Sequence, residues 1–593
     1  MAKHPFLDLL TGYEEGTDRE VKGKRFVSKA VSGRSSHERH SKLARRVMVL
    51  LRGFVNLVSY TSTRTYGLFL GGYGLLTLLL HFALSYASPE RELSMPVLLT
   101  GAIFAIVAIP FLSFDKPIAV AMQELPLTDA VFFEFFCIQR MQKKVTGRVI
   151  HPAIGLLLGL LLALLGAFVP MWYVAIGIGV AVYLYLAVIS PEFSFFFTFL
   201  VMPYLPLVDR GELILAAFVA TTLLSFVRKI VEGKRIYYFE QYDFLLLVML
   251  IIVFINGVAT GGADSVLSSL VMLVLGFGGY ALTGSLVANR RLADCVIKAN
   301  IISSLPISVI SIVQMIKSLA NGDIADFGGS SATFASPDML GAFLLISASF
   351  MLYFVFARTS KLTKLTYGVY LFVTLVAMAC TLRVWLAVAL LAGVIAYLVL
   401  KVDRATWLWL GLIAFIPYVA VLLPTPMLDA FGNEGILSVL GFGEYADRWI
   451  STRELFVENM FLGVGTGDFT DAPYSANFLL QIATEAGILV LVVFIVIFAV
   501  RLRHRSIYSP YTKDSQVSKL AQFSDVTVVA LLIYGLFTSL WTAPTVYYLF
   551  WCVFGLGSAV LRISKHEFDD RVGYFSDGAG VDSSAIDISL KNP

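Results

Sequence analysis

Three arginines, a set of carboxylates and a glycine-rich turn are the residues of this chain best suited to a charged ligand. Arg383 closes the run Met378-Ala379-Cys380-Thr381-Leu382-Arg383, which holds no other charge. Arg448 and Arg453 stand in the stretch 425–475 among Asp429, Glu434, Glu444, Asp447, Glu454, Glu458, Asp468 and Asp471. A guanidinium is permanently charged and presents a planar fork matched to phosphate or carboxylate oxygens. Asp468, Asp471 and Asp338 are candidate general bases. Phe461-Leu462-Gly463-Val464-Gly465 reads as a turn whose glycines let the backbone approach a ligand and offer amide donors. Asn477 then opens an apolar helix, and Glu485 lies about two turns inside it.

Each of these residues also has a structural reading. Arg383 can snorkel to a membrane surface, and Arg448 and Arg453 can pair with Asp447 and Glu454. Asn477 can cap its helix, and Glu485 can make a hydrogen bond inside a bundle. Gly463, Gly465 and Gly467 can be turn formers alone, and the three aspartates can be loop or helix-entry residues. Cys137, Cys295, Cys380 and Cys552 are isolated, with no CxxC spacing, so neither a disulfide frame nor a zinc site is supported. No metal and no cofactor is expected.

The elements that must position these residues are membrane helices. The chain has 593 residues, of which 58% are hydrophobic and 15% charged. Its repeated apolar runs of about 20 residues have the length of membrane spans, and their composition suits helices rather than a barrel. The fold class is therefore all-α and polytopic. About 16 transmembrane helices are expected, within a range of roughly 14 to 16. Basic loops such as 228–242, Arg290-Arg291, Arg358–Lys364 and 501–519 alternate with Gly/Ser/Asp-rich loops such as 318–337. That alternation puts both termini in the cytoplasm and the stretch 425–475 outside. A formal charge of +4 gives no reason to expect nucleic acid.

Four regions follow. Residues 1–60 are a basic cytoplasmic tail, with an amphipathic interfacial helix near 41–60. Residues 61–149 hold two spans and a basic segment. Residues 150–562 form the main membrane domain, and 563–593 a polar cytoplasmic tail expected to be disordered.

The main domain resembles the O-antigen ligase and polymerase family. There, a Pro-Leu-x-Gly-Val-Gly turn precedes a His-Asn pair that begins a helix carrying Glu-x-Gly. Here the turn is Phe461–Gly465, and Asn477, nine residues, then Gly487 and Val490 keep the spacing. Arg383 falls where the family often has Thr-x-Ser-Arg. Ser331–Gly341 is similar to the family's Gly-Thr-Phe-x-Asn-Pro-Asn-x-Leu-Ala entry, with Asp338 in place of the second Asn. The family histidine is absent, and Ala476 stands there.

The resemblance implies a metal-independent glycosyltransferase of cell-surface polysaccharide biosynthesis in the cytoplasmic membrane. Its partners would be a polyprenyl-diphosphate-linked glycan, an acceptor glycan or lipid, membrane lipids and other polysaccharide-assembly proteins. Diphosphate is already a good leaving group and needs charge stabilisation more than a proton, a task for arginine. The acceptor hydroxyl must lose a proton to a base. On this basis Arg383, Arg448, Arg453, Asp468 and Glu485 are the catalytic candidates, and Asp338, Gly463, Gly465 and Asn477 the substrate-binding ones. Two other readings stay open: a polytopic transporter or flippase, and a family member that binds lipid-linked glycan without turning it over.

Overall fold

The computed structural model describes residues 55–87, 95–136, 150–168, 171–231, 235–238, 241–260, 262–288, 290–322, 328–357, 361–400, 442–465, 477–508, 516–540 and 543–579. Among them the chain is helical, with no strand and one isolated bridge between Ser62 and Pro117. The longer helices are α1 Thr63–Ala87, α2 Met95–Ser113, α3 Pro152–Phe168, α4 Met171–Ile189, α5 Pro191–Val201, α6 Gly211–Val231, α7 Gln241–Thr260 and α8 Ala263–Leu286. They continue with α9 Arg290–Asn321, α10 Pro337–Ala357, α11 Lys361–Cys380, α12 Val384–Leu400, α13 Phe442–Glu458, α14 Phe478–Tyr508, α15 Gln516–Tyr534 and α16 Pro544–Ala579.

Nine of the described helices are long and apolar enough to cross a membrane: α1, α6 to α11, α14 and α16. Five more, in α2 to α5 and α12, are apolar but shorter. Many of their Leu, Ile, Val and Phe side chains are exposed, as on Ile154, Leu157, Leu161 and Leu165 of α3. Water would not tolerate so continuous an apolar surface, whereas lipid requires it. The protein is a multi-pass membrane protein.

The chain divides into two compact units, with the boundaries inside α5 and α6. In the smaller, α1 packs against α2 and α3. Lipid supplies no hydrophobic drive between helices, so close approach at small residues holds such pairs together. A Cβ on Gly159 would lie 2.3 Å from the Phe69 carbonyl oxygen, which leaves room for glycine alone. The foot of α6 is tied back to α4 by Arg228 Nη2 and Ser225 Oγ, which donate to the Val188 and Ala187 carbonyls, each at 2.5 Å.

In the larger unit α10 and α16 form the centre. Inside the protein lie 78% of the apolar window of α10 and 94% of that of α16. α16 packs along α8 and α15, and α10 along α11 and α15. Phe478, Phe494 and Phe498 of α14 interlock with Phe550, Trp551 and Phe554 of α16.

Two elements differ from the sequence reading. The stretch 425–475 is not wholly a loop, since Phe442–Glu458 is a helix. α16 runs on to Ala579, well into the tail expected to be disordered from 563. Residues 1–54, with most of the interfacial helix, and the candidate bases Asp468 and Asp471 lie outside the described residues.

Candidate functional site

The site is assembled from the ends of four helices. The sequence Ser336-Pro337-Asp338 starts α10 as helix-entry chemistry dictates: Ser336 Oγ accepts from the Met339 amide at 3.3 Å, and proline takes the first helical position. Asp338 thus sits in the first turn, where the helix dipole favours a negative charge. The approach to α10 is held by Gln314 of α9. Its Oε1 accepts from the Ala332 amide at 2.8 Å and from Ser330 Oγ at 2.7 Å, while Thr333 Oγ1 donates to the Pro203 carbonyl at 2.6 Å.

Arg383 occupies the link between α11 and α12. The chain reverses there through Leu382, whose φ of +55° is left-handed and uncommon for leucine. The Ser330 amide donates to the Cys380 carbonyl at 2.9 Å, so one end of α11 is closed by the loop that leads to Asp338. Across this junction Arg383 Nε meets Asp338 Oδ1 at 3.0 Å, with the two side chains 32% and 25% exposed. Tyr534, the last residue of α15, donates its hydroxyl to the Asp338 backbone carbonyl at 3.2 Å and reaches Oδ1 at 3.4 Å. Gly341, one turn on, keeps space for that phenol: a Cβ there would stand 2.8 Å from its oxygen.

Arg448 comes from α13, and its charge acts on the same Asp338 carboxylate. What brings it there is an aromatic cluster. Trp385, in the first turn of α12, stacks on Phe537 at 3.7 Å between ring centres. Tyr445 of α13 meets Phe537 edge-on at 5.4 Å, and Trp449 lies 6.0 Å from it. Ala446, Trp449 and Thr452 are buried at a spacing of three, which turns the other face of α13, with Asp447 and Arg448, outward. The Arg448 guanidinium makes no ion pair or hydrogen bond with a described residue. Arg453 is five residues further, about 140° round the helix from Arg448, and is already engaged.

The glycine turn has a different task from the one its sequence suggests. α14 is broken at Gly487, where φ is +85° and ψ 168°, a conformation essentially restricted to glycine. A break of this kind strands backbone groups that cannot be left bare in a membrane. The turn supplies what they need. The Val464 amide donates to the Thr484 carbonyl at 2.9 Å, the Gly465 amide to the Glu485 carbonyl at 3.0 Å, and the Ile488 amide to the Met460 carbonyl at 2.9 Å. Asn256 Nδ2 of α7 donates to the Ala486 carbonyl at 2.6 Å. Gly463 lies so close that a Cβ would be 2.4 Å from the Glu485 carbonyl oxygen. The Val464 and Gly465 amides, expected to face substrate, are spent on the helix break.

Asn477 caps α14: its Oδ1 accepts from the Leu480 amide at 3.1 Å, and its buried Nδ2 has no hydrogen-bond partner among the described residues. The adjacent Phe478 amide donates to the Gly535 carbonyl at 2.6 Å, which sets the cap beside Tyr534. Glu485 is 1% exposed and accepts from Gln481 Nε2 at 2.6 Å, a bond inside the bundle.

The structure therefore joins Asp338, Arg383 and Arg448 from three separate segments, and adds Tyr534 and the aromatic cluster. The spacing of Ala446, Trp449 and Thr452 could have revealed α13, whereas nothing in the sequence marks Tyr534 among 26 tyrosines. Among the described residues, no group of three or more His, Cys, Asp or Glu is placed to hold a metal ion. No protein-family model and no curated protein matches the chain.

Proposed function

We propose that this protein transfers a glycan from a polyprenyl diphosphate carrier to an acceptor sugar, as a polymerase or ligase of cell-surface polysaccharide in the cytoplasmic membrane. The observation that carries this reading is Arg383 set against Asp338 with its Nη nitrogens still open, with Arg448 near enough for its charge to act on the same carboxylate. Two forked cations, one at the link between apolar helices and one on the polar helix α13, suit a diphosphate whose lipid lies in the membrane and whose leaving-group charge they stabilise. The likeness to the O-antigen ligase and polymerase family supports the same chemistry, and the absence of its histidine at Ala476 moves the base elsewhere. Arg383 and Arg448 hold the diphosphate in this scheme, while Asn477, 1% exposed, caps its helix beside them.

The arrangement of about 16 spans with both termini cytoplasmic belongs to this proposal, and it sets the arginines on the outer face. Cysteine at Asn321 is then labelled by an impermeant reagent in intact cells, and cysteine at Lys361 only after permeabilisation.

A transporter would use a broken helix differently, with unwound carbonyls open to an ion or substrate. The carbonyls at the Gly487 break are occupied by Val464, Gly465 and Asn256, which weighs against that use. The deciding experiment supplies purified protein in liposomes with lipid-diphosphate-linked oligosaccharide. Longer or transferred glycan supports an enzyme. Movement of unaltered lipid-linked glycan between leaflets supports a flippase, and binding alone a member that has lost turnover.

A further inference from the structure

We infer that Asp338 is the general base for the acceptor hydroxyl, and that Arg383 holds this base and the donor diphosphate on two different edges of one guanidinium. The inference rests on the glycan-transfer reading and assigns the step that Ala476 leaves without a histidine.

The edges can be told apart. Arg383 meets Asp338 with its Nε edge, an ion pair 3.0 Å long without hydrogen-bond alignment, and its two Nη groups make no hydrogen bond to a described residue. The fork formed by Nη1 and Nη2 is the one that binds phosphate oxygens side by side. On the carboxylate the division is equally clear. Oδ1 lies 3.0 Å from Arg383 Nε and 3.4 Å from the Tyr534 hydroxyl, so the group is oriented, while Oδ2 accepts from no described residue. The side chain is 25% exposed, enough for a hydroxyl to reach it. Glu485, a catalytic candidate in the sequence, is 1% exposed and bonded to Gln481.

In the step itself, the acceptor hydroxyl gives its proton to Asp338 Oδ2 as its oxygen forms a bond to the anomeric carbon. The bond from that carbon to the diphosphate oxygen breaks, and its electron pair stays with the diphosphate. Arg383, through its Nη edge, and Arg448 stabilise the charge that develops there. No atom is oxidised or reduced, and Asp338 later returns its proton to water. A diphosphate on the far edge draws on the same positive charge as the carboxylate, so Asp338 is released to take a proton only when donor is in place. Donor binding and base activation become one event.

The test compares wild-type protein with Asp338→Asn, which keeps the shape and the acceptor for Tyr534. Two quantities are read: binding of undecaprenyl diphosphate to the purified protein, and surface glycan made in cells at matched membrane abundance. The expected result is binding equal to wild type or tighter, since a competing negative charge is gone, with glycan reduced about 100- to 10,000-fold. Wild-type glycan from Asp338→Asn would overturn the inference. So would parallel loss of binding, because Asp338 would then serve only to hold Arg383. If the wild-type protein itself does not bind undecaprenyl diphosphate, the glycan-transfer reading fails and takes this step with it. Should Asp338→Asn not accumulate, Asp338→Glu is read in the same way. More than about a tenth of wild-type glycan supports a carboxylate base, and none with binding intact overturns it.

Discussion

Two arginine–aspartate pairs among the described residues of the larger unit resemble each other in distance and differ in nearly everything else. Arg501 Nη2 and Asp525 Oδ1 are 2.8 Å apart with side chains only 5% and 6% exposed. Arg501 Nη1 also donates to the Phe554 carbonyl at 2.6 Å and to Ser558 Oγ at 3.1 Å, and the guanidinium lies 4.2 Å from the Phe554 ring. Ser558 in turn bonds Tyr242, and nearby Tyr280 and Tyr237 both donate to Asp243. Arg383 and Asp338 are 3.0 Å apart, partly exposed, with guanidinium edges and a carboxylate oxygen left over. Both pairs touch α15, through Asp525 and Tyr534, nine residues and roughly 13 Å apart along its axis. A pair buried this deeply holds helices together and is closed to a ligand. A partly exposed one gives up some stability and leaves its edges within reach.

Removing the cation from each pair separates the two roles. Arg501→Ala strands a buried carboxylate and is expected to cost about 3–5 kcal/mol, read as a fall in melting temperature in detergent. Adding Asp525→Leu with Arg501→Met should recover most of that loss, because no charge is then left buried. Arg383→Ala is expected to change stability by less than about 1 kcal/mol. It should nevertheless lower glycan product about 100- to 1000-fold, and Arg383→Lys should retain most of that defect because it lacks the fork. Equal stability losses from Arg383→Ala and Arg501→Ala, with glycan intact in the former, would erase the distinction.

Two smaller effects sharpen it. Gly487→Ala forces a side chain into a glycine-only conformation, with its Cβ 2.1 Å from the Phe461 carbonyl oxygen. A cost of at least about 1–3 kcal/mol is expected, together with faster amide exchange at Val464, Gly465 and Ile488. Leu382→Gly should shift stability by less than about 1 kcal/mol. Relief of left-handed strain is offset by the greater freedom of glycine in the unfolded chain.

The helical membrane architecture was legible because apolar runs and their charged boundaries are local features of sequence. Asp338 and Arg383 stood out as candidates because charge is scarce near apolar helix ends, and Arg448 because it is one of two cations among the carboxylates of 425–475. Their meeting was not, since it depends on Leu382 reversing the chain and on Trp385, Tyr445 and Phe537 setting α13 against α12. The role of Gly463 and Gly465 was misread for a related reason. A glycine turn seen alone looks available to a ligand, and only the break at Gly487, 24 residues after Gly463, shows where its amides go. Tyr534 carried no signal, because a tyrosine at the end of an apolar helix also suits a membrane surface.

The fastening of 460–465 to the break in α14 has a bearing on how this protein can change over generations. Its bonds run between peptide groups, so they do not depend on the side chains of Met460, Phe461, Leu462 or Val464. Those four positions can drift without moving the segment that leads from α13 and its Arg448. Those side chains can thus change one substitution at a time with Arg448 left in register. Only the glycines are fixed in such a history, and they are fixed by geometry.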